Sequence, residues 1–141
     1  MCEMRIYVDG SSQSYRRRAG IGLVVTDTSG APVLEACQPI PYCSSDRAEC
    51  LAILEALEIA RQLEIDRYEL LSDCQWIVDR VAGIPAPIHP DATRICGKIR
   101  RRMARTPRVR LSHVPRAGNR HADALARSGA RGFRSFGAPD L

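Results

Sequence analysis

Asp123 is the only acidic residue between Arg94 and Arg134 in a chain of 141 residues, and thirteen Lys or Arg residues share that segment. A lone carboxylate in such basic surroundings makes chemical sense if a polyanion binds there and the carboxylate holds a metal ion against it. Asp9, Glu49 and Asp73 stand where an α/β chain would bring them to the same place. These four acids predict a metal-dependent nuclease.

The elements that must position these acids follow from the residue pattern. Alternating β-branched residues predict strands at 5–9, 20–26, 32–39, 68–73 and 108–114, with a polar loop at 11–18. Helices are expected from Ser44 onwards and at about 74–81, 91–105 and 119–130, with Asp46 as the first N-cap and Glu49 as its capping-box partner. The order βββαβααβα predicts an α/β fold, a mixed five-stranded sheet with helices on both faces.

Each acid is expected at a strand end or in the first turns of a helix, which is where sites gather in open α/β sheets. Asp9 would end the first strand and Asp73 the fourth, while Glu49 and Asp123 would open helices. Clustered carboxylates raise one another's pKa and destabilise the fold, and a divalent cation reverses that cost. Two such ions ~3.5–4 Å apart can activate a water molecule and stabilise a leaving oxygen.

Each acid also has an ordinary structural interpretation. Asp9 could be a turn residue before Gly10, Glu49 could cap its helix, Asp73 could be an N-cap, and Asp123 could complement a helix dipole. All four coincide with the strand and helix ends of one fold. That coincidence favours the metal site over four unrelated structural roles.

Several short motifs, in this order and at these spacings, resemble type 1 ribonuclease H over about residues 4–131. They are Tyr7-Val8-Asp9-Gly10-Ser11, Arg47-Ala48-Glu49, Leu71-Ser72-Asp73-Cys74-Gln75, Val114-Pro115-Arg116 and Asn119-x-x-Ala122-Asp123-x-Leu125-Ala126. The resemblance implies a ribonuclease H-like fold whose catalytic metal ligands are Asp9, Glu49, Asp73 and Asp123. It also implies two Mg²⁺ or Mn²⁺ ions per site with substrate bound, and an RNA·DNA hybrid as partner.

The resemblance further implies which residues bind substrate, and here the chain departs from the family pattern. Ser45 and Asp46 replace asparagines that contact the hybrid, and 12–18 replaces a Gly/Asn/Pro-rich loop. The segment 83–90 is too short and uncharged to be the family's basic protrusion, so the basic run at 98–102 is expected to replace it. The predicted substrate-binding residues are Gly10, Ser11, Ser45, Gln75, Arg100, Arg101, Arg116 and Asn119.

The histidines and the tryptophan carry separate predictions. The family's mobile histidine has no counterpart in the loop 116–118. His121 lies two residues before Asp123, about 200° round a helix, so it is expected to face elsewhere. His113 ends a strand and is assigned a structural role more readily than a catalytic one. Trp76 could stack on nucleic acid, although a helical tryptophan at this position is more often packed in a core or against a sugar.

Composition sets the remaining expectations. The net charge is +5, but residues 1–93 hold eight basic and fourteen acidic residues, so the basic surface is concentrated in the C-terminal third. That asymmetry favours nucleic acid binding, with a solvated arginine-rich face as the alternative. No apolar run approaches the ~20 residues of a membrane span, and no signal peptide is visible. None of the six cysteines forms a Cys-x-x-Cys pair.

The sequence therefore predicts a cytoplasmic, monomeric enzyme with a catalytic domain at 1–131 and a flexible tail at 132–141. Its expected reaction is hydrolysis of the RNA strand of RNA·DNA hybrids, leaving 5′-phosphate and 3′-hydroxyl ends. Two alternatives stay open. One is a non-catalytic nucleic-acid-binding module of the same fold, and the other is a same-fold nuclease acting on double-stranded RNA or DNA junctions.

Overall fold

The computed structural model describes residues 3–139, in which six strands form one sheet and four α-helices pack against it or against one another. Their bounds in chain order are β1 Met4–Gln13, β2 Arg18–Thr26, β3 Pro32–Ile40, α1 Ser45–Gln62, β4 Tyr68–Ser72, α2 Gln75–Val81, α3 Thr93–Ala104, β5 Val109–His113, α4 Arg120–Ala130 and β6 Ser135–Gly137. Short 3₁₀ turns at Pro90–Ala92 and Arg116–Gly118 precede α3 and α4.

The sheet has the strand order β5-β4-β1-β2-β3-β6, and its two halves differ in direction. β1 pairs with β2, β2 with β3 and β3 with β6 in antiparallel fashion, while β1, β4 and β5 are parallel. Pairing between β1 and β4 covers Met4–Tyr7 and stops there, whereas β1 continues along β2 as far as Gln13. A gap therefore opens between β1 and β4 just beyond Tyr7.

Helices cover both faces of the sheet, as the sequence predicts. Gly10 brings β1 against α1 so closely that a Cβ there would lie 2.5 Å from the Glu49 amide nitrogen. On the opposite face Gly22 does the same for α4, since a Cβ at that position would collide with the amide nitrogen of Ala126. The main core lies on the α1 side, where Ile6, Val8, Ile53 and Leu70 are fully buried.

Two expectations about the elements are wrong. Asp9 lies inside β1 rather than at its end, because β2 continues to pair with the residues after it. The sheet has six strands, not five, since Ser135–Gly137 pairs with Glu35–Cys37. The segment 132–141, expected to be a flexible tail, thus contains a strand, and residues 140–141 lie outside the described range.

The cap of α1 also differs from expectation. Ser44, not Asp46, is the N-cap, and its Oγ accepts a hydrogen bond from the Arg47 amide at 3.0 Å. Glu49 is free of any capping-box role because its carboxylate faces β1 and β4 instead. The Glu49 carboxylate therefore points into the gap between β1 and β4.

Candidate active site

Three carboxylates meet in the gap between β1 and β4. Asp9 lies within β1, and Asp73 directly follows the neighbouring parallel strand β4: the register that pairs Tyr7 with Leu71 sets Asp9 beside Asp73 two residues later. Glu49 enters from the first turns of α1. One carboxylate oxygen from each of the three acids lies within 4.8 Å of the others. The structure therefore brings together three of the four predicted ligands.

Glu49 is fixed in this cluster by two hydrogen bonds from different strands. The Gly10 amide donates to its Oε1 at 3.0 Å, and the Ser72 hydroxyl donates to its Oε2 at 3.2 Å. Ser72 is completely buried, and its Oγ also accepts a hydrogen bond from the Cys74 amide at 3.1 Å. The carboxylate is thereby oriented before anything binds, which is the preorganisation that a metal site needs.

Asn119 supports the cluster from the α4 side. Its Nδ2 donates to the Val8 carbonyl at 2.9 Å and lies 3.4 Å from Asp73 Oδ2. The residue is only 1% exposed, so its amide braces β1 and Asp73. This position differs from the direct substrate contact that the family motif implies for Asn119.

Burial and mutual repulsion raise the pKa of both Asp9 and Glu49. Removal from water is the largest cause for each, and the neighbouring carboxylate of Asp73 adds to it. The pKa of Asp9 rises to about 11 and that of Glu49 to about 7; the hydrogen bond between the two acids raises the pKa of Asp9 and lowers that of Glu49, although burial keeps both above their usual values. We read them as a coupled pair that shares a proton near neutral pH when no cation is bound.

The fourth predicted ligand, Asp123, lies at the rim of this cluster. It is half-buried on α4, and its carboxylate forms an ion pair with Arg127 at 3.2 Å. Asp123 also contributes to the raised pKa of Asp9, so the two side chains are close. Asp123 therefore lies next to the cluster, between Asp9 and the exposed Arg127.

An open cleft of about 410 Å³ surrounds the carboxylates. Four of the eight predicted substrate-binding residues line it, namely Gly10, Ser45, Gln75 and Arg116. The other lining residues are Asp9, Asp46, Glu49, Asp73, Cys74, Trp76, Asp123 and Arg127. Gln75 is exposed, and its side-chain amide already has one partner, because Nε2 donates to Asp79 at 2.8 Å.

The remaining substrate-binding predictions fall outside the cleft. Ser11 pairs with Gly20 in the β1–β2 ladder, and Asn119 is buried. Arg100 and Arg101 are exposed on α3, which packs against α1 and α2. Any contact they make with a nucleic acid must therefore involve its backbone at a distance from the carboxylates.

Sequence reasoning missed the parts that Ser72 and Arg127 play at this site. Ser72 looked like part of a strand, yet it orients Glu49; its place one residue before Asp73 was the signal that could have found it. Arg127 stands one helical turn after Asp123, a spacing that brings two side chains together on one helix face. Trp76 is 52% exposed at the cleft, so packing in a core is wrong, whereas its ring is free to contact a sugar or a base.

The three histidines are outside the cleft. As predicted, His121 faces away from Asp123; its Nε2 is 2.7 Å from Glu35 on β3. His89 is exposed, and its Nδ1 lies 2.7 Å from Asp91 just before α3. His113, at the end of β5, is exposed and pairs in register with Ser72.

A larger cavity, about 600 Å³, is not where the acids meet. It lies at the opposite edge of the sheet, where β4 and β5 begin, and is lined by Tyr68, Val109 and the arginines of α3 and the following turn. The volume of a cavity does not identify the catalytic site. The smaller cleft is the candidate active site because it contains the oriented carboxylates and the perturbed pKa values.

The donor set of the cleft fits a hard divalent cation. All three clustered ligands are carboxylates, which suit ions that prefer oxygen, and the raised pKa values show how strongly the cluster favours added positive charge. Among the described residues, no group of cysteines forms a metal site. Cys37, Cys43, Cys50, Cys74 and Cys96 are free thiols, and Cys2 lies outside the described residues.

Comparison with solved structures identifies the architecture as a ribonuclease H-like fold. RNase H1 from the archaeon Halobacterium salinarum superposes with a TM-score of 0.81 at 30% identity, covering 90% of this chain and 96% of that one. LC11-RNase H1, isolated from compost and solved with an RNA/DNA hybrid, gives 0.79 at 28% identity over 92% of this chain and 97% of that one.

The sequence comparisons agree, and the chain belongs to the reverse transcriptase-like family, whose model matches residues 7–129. It is 32% identical over 120 residues to a protein named ribonuclease HI from H. salinarum, which amounts to 85% of this chain. The chain spans 60% of the length of that curated relative. The resemblance to type 1 ribonuclease H seen in the sequence is thereby confirmed.

Within residues 3–139, none of the helices is both long enough and apolar enough to cross a bilayer.

Proposed function

We propose that this chain is a divalent-metal-dependent ribonuclease H that hydrolyses the RNA strand of RNA·DNA hybrids, leaving 5′-phosphate and 3′-hydroxyl ends. The observation that carries the proposal is the oriented cluster of Asp9, Glu49 and Asp73 at the floor of an open cleft. A relative of the same fold has been solved with an RNA/DNA hybrid, which supports the choice of substrate.

The carboxylates and their supports would do distinct things in this reaction. Asp9, Glu49, Asp73 and Asp123 would hold two Mg²⁺ or Mn²⁺ ions with substrate present. The chemistry that two such ions supply is activation of the attacking water and stabilisation of the leaving oxygen. Gly10 and Ser72 keep the Glu49 carboxylate aimed at the scissile phosphate, so little reorganisation is needed when substrate arrives.

The rim of the cleft would position the duplex. Arg116 and Arg127 are exposed guanidinium groups beside the acids, placed to face phosphate oxygens. Gln75 and Trp76 offer an amide and an aromatic face on the neighbouring helix, suited to base edges and sugars in a wide minor groove. The 2′-hydroxyl of the RNA strand is the group by which such a site tells RNA from DNA.

The direct test is incubation with Mg²⁺ or Mn²⁺ and four labelled duplexes: RNA·DNA, RNA·RNA, DNA·DNA and a DNA carrying one ribonucleotide. We expect cleavage of the RNA strand of the hybrid, at least tenfold faster than any other duplex. Faster cleavage of RNA·RNA or of DNA would favour a different nuclease on the same fold. Absence of cleavage with intact binding would favour a binding module.

The acids argue against a module without catalysis, because such a module gains nothing from buried like charges. Asp9→Asn supplies the matched negative control, and Asp66→Asn, an exposed acid at the far end of the sheet, controls for loss of one charge. Mg²⁺ or Mn²⁺ as the bound ion, a monomeric state and a cytoplasmic location remain predictions from the sequence.

A further inference from the structure

The turn between β1 and β2 carries an exposed basic and aromatic cluster that the cleft does not use. Tyr15 is 79% exposed, and Arg16, Arg17 and Arg18 follow it, all exposed. Tyr42, from the connection between β3 and α1, stands beside them. We call these five residues the hairpin surface.

Cations and rings are paired on this surface. The Arg16 guanidinium lies 5.3 Å from the Tyr15 ring centroid, and the Arg17 guanidinium 5.0 Å from that of Tyr42. Each pair offers a flat aromatic face next to a positive charge, which is the combination that binds a base by stacking and its phosphate by charge. Among residues 3–139, no carboxylate lies within 4.0 Å of any of these arginines.

A groove of about 330 Å³ extends the hairpin surface towards the end of α4. Arg17, Arg18 and Arg131 line it together with uncharged residues, so its charge is entirely positive. Arg131 also lies at the C-terminal end of α4, where a cation complements the helix dipole. For that reason it is left unchanged in the tests below.

The backbone shows that Arg17 is kept at some conformational cost. Its φ is 51°, in the left-handed region that favours glycine. The turn is closed by hydrogen bonds from the Arg16 amide to Gln13 and from the Arg17 amide to Ser14. A glycine would fit this turn without strain, so the presence of an arginine there points to a role for its side chain.

The hairpin surface is firmly attached to the candidate active site. Ser12 Oγ donates to the Cys43 carbonyl at 2.6 Å, which ties the hairpin to the connection that carries Tyr42 and leads to Ser44, the N-cap of α1. Along extended β1, Asp9 and Gln13 are about 13 Å apart, at ~3.3 Å per residue. That span corresponds to about four base pairs of duplex, at ~3.4 Å per pair.

We propose that the hairpin surface binds unpaired nucleotides that flank the hybrid, so that the preferred substrate is an RNA·DNA hybrid next to a single-stranded tail. A duplex would hide its base faces within its stack, whereas a tail exposes them to Tyr15 and Tyr42. The inference deepens the proposed function. The preference for tailed hybrids as substrates rests on that function, whereas binding of single strands to the hairpin surface does not depend on cleavage.

Binding is tested without metal, so that catalysis plays no part. Fluorescence anisotropy would measure the affinity of the chain, in EDTA, for labelled eight-nucleotide U and dT strands. The Tyr15→Ala/Tyr42→Ala double variant should bind at least tenfold more weakly, as expected for the loss of stacked bases. Phe136→Ala is the matched control, since Phe136 is a similarly exposed aromatic on β6, and it should leave the affinity within twofold.

Arg17→Gly separates binding from folding. Glycine removes the left-handed strain, so the melting temperature should not fall, while affinity for the strand falls and its salt slope becomes shallower by about 0.7. Arg134→Ala, which removes an exposed arginine near β6, should change neither. Equal affinity of the wild-type and both hairpin variants for the strand would overturn the proposal.

Cleavage then tests the substrate class. Hybrids with a tail on either end of either strand, with cleavage positions within five pairs of the junction, would be compared with a blunt hybrid. At least one tailed hybrid should have a kcat/KM about tenfold above the blunt one, and the double tyrosine variant should erase that advantage while cleaving the blunt hybrid normally. Equal loss on blunt and tailed hybrids would overturn the single-strand assignment. Failure of the wild-type chain to cut any hybrid would contradict the proposed function alone, because the anisotropy result stands apart from it.

Discussion

The floor and the rim of the cleft are built on different principles. At the floor, Asp9 and Glu49 are buried, and Glu49 is held by two hydrogen bonds from neighbouring strands. At the rim, Asp123, Gln75 and Trp76 are partly or largely exposed and held by surface contacts. At the floor, repulsion between buried carboxylates is tolerated because the hydrogen bonds fix their positions. At the rim, the side chains stay accessible to a large ligand.

The contrast is sharpest when one charge is removed from the floor. Asp9→Asn and Asp73→Asn each keep the shape of the side chain but delete a ligand charge, so cleavage of the hybrid should fall by at least ~10³-fold, on the scale of losing electrostatic stabilisation at a reacting group. Gel assays with labelled hybrid measure this. Near-parental, Mg²⁺-dependent cleavage by either folded variant would mean that the site is elsewhere.

Ser72→Ala tests whether orientation of Glu49 matters as well as its charge. The variant loses a buried hydrogen bond to a carboxylate, of a kind that contributes about 1.5–3 kcal/mol, so kcat should fall roughly tenfold or more with little change in KM. Ser112→Ala is the matched control, because Ser112 Oγ also donates to a carboxylate, that of Glu69, but away from the cleft. Equal effects of the two variants would reduce Ser72 to a stability role.

The rim should respond in affinity rather than in chemistry. If α3 also contacts the duplex backbone, Arg100→Glu/Arg101→Glu/Arg102→Glu should raise KM several-fold and flatten its dependence on salt, since counterion release scales with the number of phosphate contacts. Arg102 also pairs with Glu58, so melting must be measured alongside. An unchanged salt slope would show that this face of α3 is solvated and would leave binding of the duplex backbone to the cleft rim.

Stability without metal gives a further distinction between floor and rim. The folded pKa of Asp9 and of Glu49 lies above its unfolded value, so the folded state binds more protons and the free energy of unfolding falls as pH rises above about 4. In EDTA, melting temperatures should therefore decline from pH 5 to pH 8, and Asp9→Asn should flatten that decline. A rim variant such as Gln75→Ala should keep the parental slope, and a flat parental profile would contradict the buried repulsion.

His113→Ala should have the smallest effect. His113 is exposed at the end of β5 and the cleft is lined without it, so kcat should change less than about threefold, far from the ~10²–10⁴-fold typical of a lost general acid or base. Circular dichroism and melting control for folding. A hundredfold loss in a folded variant would move His113 from the periphery to the chemistry.

The sequence predicts the floor better than the rim, for a physical reason. Asp9, Glu49 and Asp73 stand at positions fixed by strand register and the start of a helix, and those follow from periodicity. Predicting that Asn119 is buried, or that Trp76 is exposed, requires knowing which face of α4 or α2 the sheet covers. The sixth strand was missed because three residues carry almost no periodicity of their own and depend on β3 for pairing.

The central claim is that the floor of the cleft is a divalent-cation site, and a thermal melt with Mg²⁺ or Mn²⁺ tests it most directly. Saturating metal should raise the melting temperature of the parent, since a ligand at ~100 times its Kd stabilises by about 2.7 kcal/mol. The same metal should leave Asp9→Asn almost unshifted, while Asp66→Asn should behave as the parent does. An equal shift in parent and Asp9→Asn, or no shift in either, would contradict the cation site.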